Sequence, residues 1–154
     1  MKSWWRWTGL TLYWLTWPLM ALMIRGSKRT RLLIVYCDEV LVTKGWLSSG
    51  KWSLPGGGLH KGEQSLAGAL RELYEETGLR LRTNQVKRHS DHIYQHNGVR
   101  FNYVLFTGVL RRKVAVRPQP LEILEVSWVD RHELTAANAS PDVLNALHIR
   151  WGTR

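Results

Sequence analysis

The stretch from Gly57 to Leu79, GGLHKGEQSLAGALRELYEETGL, constrains this chain more than any other part of it. Leu66, Ala69, Leu70 and Leu73 recur at helical spacing and form one apolar stripe, which predicts a short helix packed on a sheet. At about 100° per residue, Glu72, Glu75 and Glu76 fall together beside that stripe. Gly78 follows the last periodic residue and can take the left-handed conformation that ends a helix. Upstream, Trp52-Ser53-Leu54-Pro55 runs into Gly56, Gly57 and Gly58, a segment that can turn sharply and approach a ligand closely.

Carboxylates gathered this closely repel one another unless a cation neutralises them. Hard oxygen ligands suit Mg²⁺, with Mn²⁺ as the alternative, and magnesium commonly bridges one or two carboxylates to substrate phosphates. Arg71 stands four residues before Glu75, so it can pair with that carboxylate and hold it in place. Glu63, just ahead of the helix, is expected to reach ligands or backbone amides there. An ordinary amphipathic helix with a solvated acidic face accounts for Glu72 or Glu76 singly. It does not account for their joint spacing with Gly57, Glu63 and Gly78.

That spacing is Gly57, five residues, Glu63, seven residues, Arg71-Glu72-Leu73, one residue, Glu75-Glu76, one residue, Gly78-Leu79. It resembles, at every specified position, the signature of the Nudix hydrolases, which cleave nucleoside diphosphates linked to other groups. The resemblance implies an α/β fold, an α/β/α sandwich around a mixed sheet, over about residues 30–150. It implies Glu72, Glu75 and Glu76 as metal ligands, with Glu63 as a further candidate and Arg71 in the catalytic group. Gly56, Gly57, Gly58 and Trp52 are the substrate-binding candidates. The general base varies within the family, and Glu122 or Glu125, shortly before Trp128, are candidates for an acid outside the signature. Hydrolysis follows from general chemistry: phosphate charge is neutralised, a water is acidified, and a carboxylate takes its proton.

The expected substrate is a phosphorylated small molecule: a nucleoside triphosphate, a dinucleotide or a nucleotide-sugar. Trp46, Trp52, Tyr94 and Tyr103 are candidates to stack a base, or are simply core. A tethered nucleotide sensor with little turnover and a hydrolase of lipid-linked diphosphates are the competing functions.

The net charge of +10 is unevenly placed. Residues 1–31 hold six basic residues and no acid, while the remainder has sixteen basic against twelve acidic residues. Most of the chain is therefore only mildly basic, as a binder of phosphorylated ligands can be. The local clusters Lys87-Arg88 and Arg111-Arg112-Lys113 read as solvated surface, with phosphate or nucleic-acid contact as the alternative, and no nucleic-acid module is recognisable.

The first 27 residues form a separate segment from the catalytic domain expected over 28–154. Trp7 to Ile24 is an uncharged run of 18 residues, near the minimum for a spanning helix. Trp4, Trp5, Trp7, Tyr13, Trp14 and Trp17 favour a membrane–water boundary, and basic residues flank both ends. The segment reads as a membrane anchor making contact through residues 4–24, spanning or lying in the interface. A cleavable signal, an apolar element docked on the domain, and a disordered extension or mis-assigned start are the alternatives. If it spans, the basic residues after it outnumber those before it, which puts the catalytic domain in the cytoplasm.

Elsewhere, residues 31–42 predict a strand pair turning at Asp38-Glu39, with Cys37 a buried strand residue. A single cysteine excludes an intrachain disulfide. Residues 46–51 predict a loop bordering the site. Asn97-Gly98 marks a hairpin turn, and strand conformation keeps His92 and His96 from converging on a metal. A strand over 126–129 and a helix opened by Pro141 complete the pattern.

Overall fold

The structure, a computed structural model, describes residues 27–45, 50–96, 99–118 and 123–152. The candidate anchor, Trp46, the Asn97-Gly98 turn and Glu122 lie outside the described residues.

Five strands form one sheet: β1 (Lys28–Tyr36), β2 (Glu39–Gly45), β3 (Val86–His96), β4 (Val99–Val109) and β5 (Ile123–Asp130). Their order is β3-β4-β1-β2-β5, with β1 parallel to β4 and every other pair antiparallel. The sheet is therefore mixed, and residues 32–35 of β1 at its centre form a continuous apolar run because both faces are covered there. Helix α1 (Ser65–Thr77) lies on one face and α2 (Pro141–Trp151) belongs to the other.

Side-chain alternation along β1 feeds two cores. Leu32 and Ile34 join Leu41, Phe106, Ala69 and Leu73 under α1. Leu33 and Val35 join Val40, Val42, Leu105, Val143 and Ala146 under α2. This is the α/β/α sandwich expected from the sequence. Among the described residues no helix is long and apolar enough to cross a membrane.

Three local expectations shift. The strand pair runs over 28–45 and turns at Cys37-Asp38, one residue earlier than expected. Cys37 is exposed in that turn with φ +52°, rather than buried in the strand. The apolar run ends at Tyr36 because the chain must reverse there to bring Val40 and Val42 back onto the sheet. Strand β5 begins at Ile123, three residues ahead of the expected 126.

Candidate active site

After Trp52 the chain runs back along β1. Leu32 N–H donates to Pro55 O and Thr30 N–H to Gly57 O, both at 2.9 Å, and Leu59 N–H reaches Lys28 O at 3.2 Å. The turn thus lies flat against the strand; close approach to backbone requires glycine at Gly56, and at Gly57 it admits the Glu72 carboxylate. At Gly56 (φ +136°) a Cβ would stand 2.2 Å from the Thr30 carbonyl oxygen. At Gly57 a Cβ would stand 2.5 Å from the Glu72 carboxylate. Gly58 faces open space, so steric crowding does not account for glycine there.

Helix α1 presents its acids to this turn. Its apolar side buries Ala69 and Leu73, and Gly78 ends it at φ 71°, with its amide donating to Tyr74 O as a left-handed cap does. Glu76 Oε2 accepts the Gly56 amide at 2.8 Å. Glu72 is mostly covered, its side chain 14% exposed, while the Glu75 side chain is 54% exposed.

Arg71 ties the acids together. It donates from Nε to Glu63 Oε1 at 2.9 Å and from Nη2 to Glu63 Oε2 at 3.0 Å. From Nη1 it reaches Glu72 at 3.0 Å and Glu75 at 2.8 Å, and Nη2 also donates to Gly58 O at 3.1 Å. The pairing expected with Glu75 is present, as one bond of a larger cluster. The Arg71 side chain holds Glu63 well below the usual carboxylate range, at about 2, assisted by the His60 amide at 2.9 Å. Burial raises Glu72 above its usual value, and nearby Glu75 adds to this, while Arg71 and Arg29 oppose it. Among these carboxylates the arginine itself is held more firmly protonated.

The donor set fits a hard divalent ion. Three carboxylates sit on one side of a rigid helix, and the missing Cβ of Gly57 lets Glu72 close against the turn. In the arrangement seen, these groups are directed to Arg71 and to backbone amides. Among the described residues no three His, Cys, Asp or Glu side chains are gathered tightly enough to hold an ion as they stand.

The remaining candidates are dispersed. Trp52 is buried in the α2-side core, with the Lys44 ammonium 3.7 Å from its ring centroid. Tyr103 is buried, and Tyr94 stacks on Phe101 with ring centroids 4.6 Å apart. Glu125 is exposed on β5, and its carboxylate accepts from Lys44 at 3.0 Å. His92 lies on strand β3 and packs its ring against Tyr103.

Sequence reasoning missed the second arginine of the turn. Arg31 Nη1 donates to Gly56 O, and Arg31 Nε pairs with Asp142 at 2.9 Å. That pair is buried, at 12% and 2% side-chain exposure. Ser140 Oγ donates to Asp142 Oδ1, tying the pair to the start of α2. The signal available was a charged residue directly before the apolar residues 32–35 of β1, where the strand enters the core.

The NUDIX domain family matches residues 26–147. This chain belongs to the Nudix family. Over 32 residues it is 59% identical to the RNA pyrophosphohydrolase of Bartonella quintana, covering 21% of this chain and 18% of that protein. The chain thus aligns with about a fifth of the length of the curated relatives it matches. The NUDIX domain of Shewanella oneidensis NrtR, solved with ADP ribose, superposes with TM-score 0.70 at 16% identity, over 81% of this chain and 86% of that one. A bifunctional NMN adenylyltransferase/ADP ribose pyrophosphatase from Francisella tularensis, solved with AMP and a Mn ion, gives 0.68 at 17% identity, over 93% and 46%. At these identities the structural likenesses establish the fold.

Proposed function

We propose that this Nudix domain is a divalent-metal-dependent pyrophosphohydrolase that cleaves the diphosphate of a nucleoside diphosphate derivative. The observation that carries the reading is the closure of Glu72 and Glu76 on a glycine turn that has no room for a side chain at Gly57. Glu72, Glu75 and Glu76 would hold Mg²⁺ or Mn²⁺, with Glu63 Oε1, which accepts one bond, as a further donor. A bound ion supplies neutralisation of diphosphate charge and acidifies water.

The residues of the chain supply position. Arg71 fixes Glu63, Glu72 and Glu75 relative to Gly58, so the acids keep one arrangement as a phosphate approaches. Gly56, Gly57 and Gly58 allow the diphosphate to lie close to the backbone, and Trp52, buried in the α2-side core and bonded to Asn138 and Ser140, anchors the chain that enters the turn. The ADP ribose and AMP bound by the structural relatives support a nucleotide substrate.

Attachment to a membrane through residues 1–27, with the catalytic domain on the cytoplasmic side, rests on their uncharged, tryptophan-rich sequence and basic flanks. Flotation of the full-length chain with phosphatidylcholine–phosphatidylserine vesicles tests it, and a chain that stays with the soluble fraction contradicts it.

The test of the enzymatic reading is hydrolysis by the full-length chain in detergent, with Mg²⁺ or Mn²⁺, of ADP-ribose, nucleoside triphosphates, dinucleotides and nucleotide-sugars. Turnover of at least one class, abolished by EDTA, is expected. Tight nucleotide binding without turnover supports the sensor instead.

A further inference from the structure

The two basic clusters that read as ordinary solvated surface converge in space. A groove of about 1150 Å³ opens beyond the C-terminal end of α1, and its walls carry Arg80, Arg82, Lys87, Arg111 and Arg112. Arg80 and Arg82 come from the segment after α1, Lys87 from β3, and Arg111-Arg112 from the chain leaving β4. Antiparallel pairing sets Lys87 opposite Thr107, which brings the β3 cation to the end of β4 where Arg111 and Arg112 follow.

The clusters also divide. Arg88 is taken up by Asp91 at 2.6 Å and Lys113 by Glu39, whereas the five groove cations pair with no acid among the described residues. All five are exposed, and the described lining of the groove contains no acid. Arg80 stacks its guanidinium on the Tyr74 ring, 3.8 Å from the centroid, and keeps its charge; like charges facing one concavity repel each other, and an anion between them relieves the repulsion. At the end of α1, Tyr74 O accepts the Gly78 amide and Thr77 O the Arg117 amide, so these two carbonyls are already occupied by donors.

This groove is separate from the glycine turn. The turn is held at Thr30, which pairs with Val104, while the groove is lined by Thr107 to Leu110. At about 3.3 Å per residue these positions lie about 10–20 Å farther along β4.

We propose that the groove is a second binding site, for a compact anion carrying several phosphates. Arginine forks and a lysine suit phosphate oxygens. No aromatic residue is among the described lining, so the aromatic platforms on which a single nucleic-acid strand stacks successive bases are not part of it. A concave site also suits a discrete headgroup or polyphosphate better than a flat bilayer. The same chemistry is offered by soluble polyphosphate and by a phosphorylated lipid headgroup.

Calorimetry of the full-length chain in detergent, with inorganic tripolyphosphate and EDTA at low salt, tests the site. Arg111→Gln/Arg112→Gln should weaken binding about tenfold or more, and added salt should weaken the unsubstituted chain further. Arg100→Gln/Arg150→Gln removes the same charge from exposed positions outside the groove and should leave the affinity unchanged. A parallel flotation compares phosphatidylcholine vesicles with and without phosphatidylinositol bisphosphate. Loss confined to the phosphoinositide increment assigns the site to a lipid headgroup, and loss with tripolyphosphate assigns it to a soluble ligand. Equal binding by all three chains in both assays, or equal loss in the control, overturns the proposal.

Discussion

Two arginines grip the same glycine turn from different parts of the fold, and they differ in almost everything else. Arg71, on α1, donates to Gly58 O while sharing itself among three carboxylates, of which Glu75 is exposed. Arg31, on β1, donates to Gly56 O while paired with one buried aspartate from α2. The surface cluster holds several acids near one another and leaves Glu75 exposed, an arrangement able to exchange partners with a ligand. The buried pair has little water to fall back on, so it is committed to holding the turn. One arginine serves the chemistry and the other serves the platform beneath it.

Substitutions can break this contrast. Glu72→Gln should lower kcat at least about a hundredfold, because a proposed ligand to the ion is lost, with the fold intact. Steady-state kinetics alongside thermal melting check both halves; an unchanged kcat would remove Glu72 from the site. Asp142→Ala should show the opposite pattern. It leaves a buried guanidinium without its partner and should cost about 3–5 kcal/mol of stability, read by urea unfolding. A change within experimental error would show that the pair is not the platform described here.

Gly57→Ala should sit between the two. Gly57 is not among the positive-φ glycines, so the backbone accepts alanine, but its Cβ meets the flexible end of Glu72. We expect about a tenfold loss of kcat and less than about 1 kcal/mol of stability. Gly58→Ala, facing open space, should change neither, and equal losses at both positions would contradict the assigned contact.

The smallest effect should be seen with Glu63→Gln. Glu63 has its folded-state pKa depressed to about 2 from 4.5. Its contribution is therefore present above about pH 4.5 and is lost as pH falls towards 2. The Gln variant should lose that part of the acid dependence, measured by thermal melting across pH 2–6, and an unchanged profile would argue against the Arg71 pairing.

The same contrast explains what the sequence made legible. Local features were readable because their determinants lie within a few residues: the α1 period, the cap at Gly78 and the spacing of Glu72, Glu75 and Glu76. Of the cluster around Arg71 the pair with Glu75 is of this kind, while its bonds to Glu63 and Gly58 appear once the glycine turn folds back beside α1. Arg31 with Asp142 was not readable, because β1 and the start of α2 meet only once the sheet has formed. Parallel pairing of β1 with β4 is likewise a long-range choice. Cys37 was misplaced because the apolar run gave no sign of where the chain reverses. The groove cations read as dispersed surface because three separate segments supply them.

The most direct test of the central claim is Mn²⁺ binding to the full-length chain, followed by electron paramagnetic resonance. It needs no knowledge of the substrate. If Glu72 and Glu76 hold the ion at the glycine turn, Glu72→Gln/Glu76→Gln should weaken binding at least about tenfold while the thermal melt keeps its cooperative form. Binding equal to that of the unsubstituted chain would place the ion elsewhere and contradict the account.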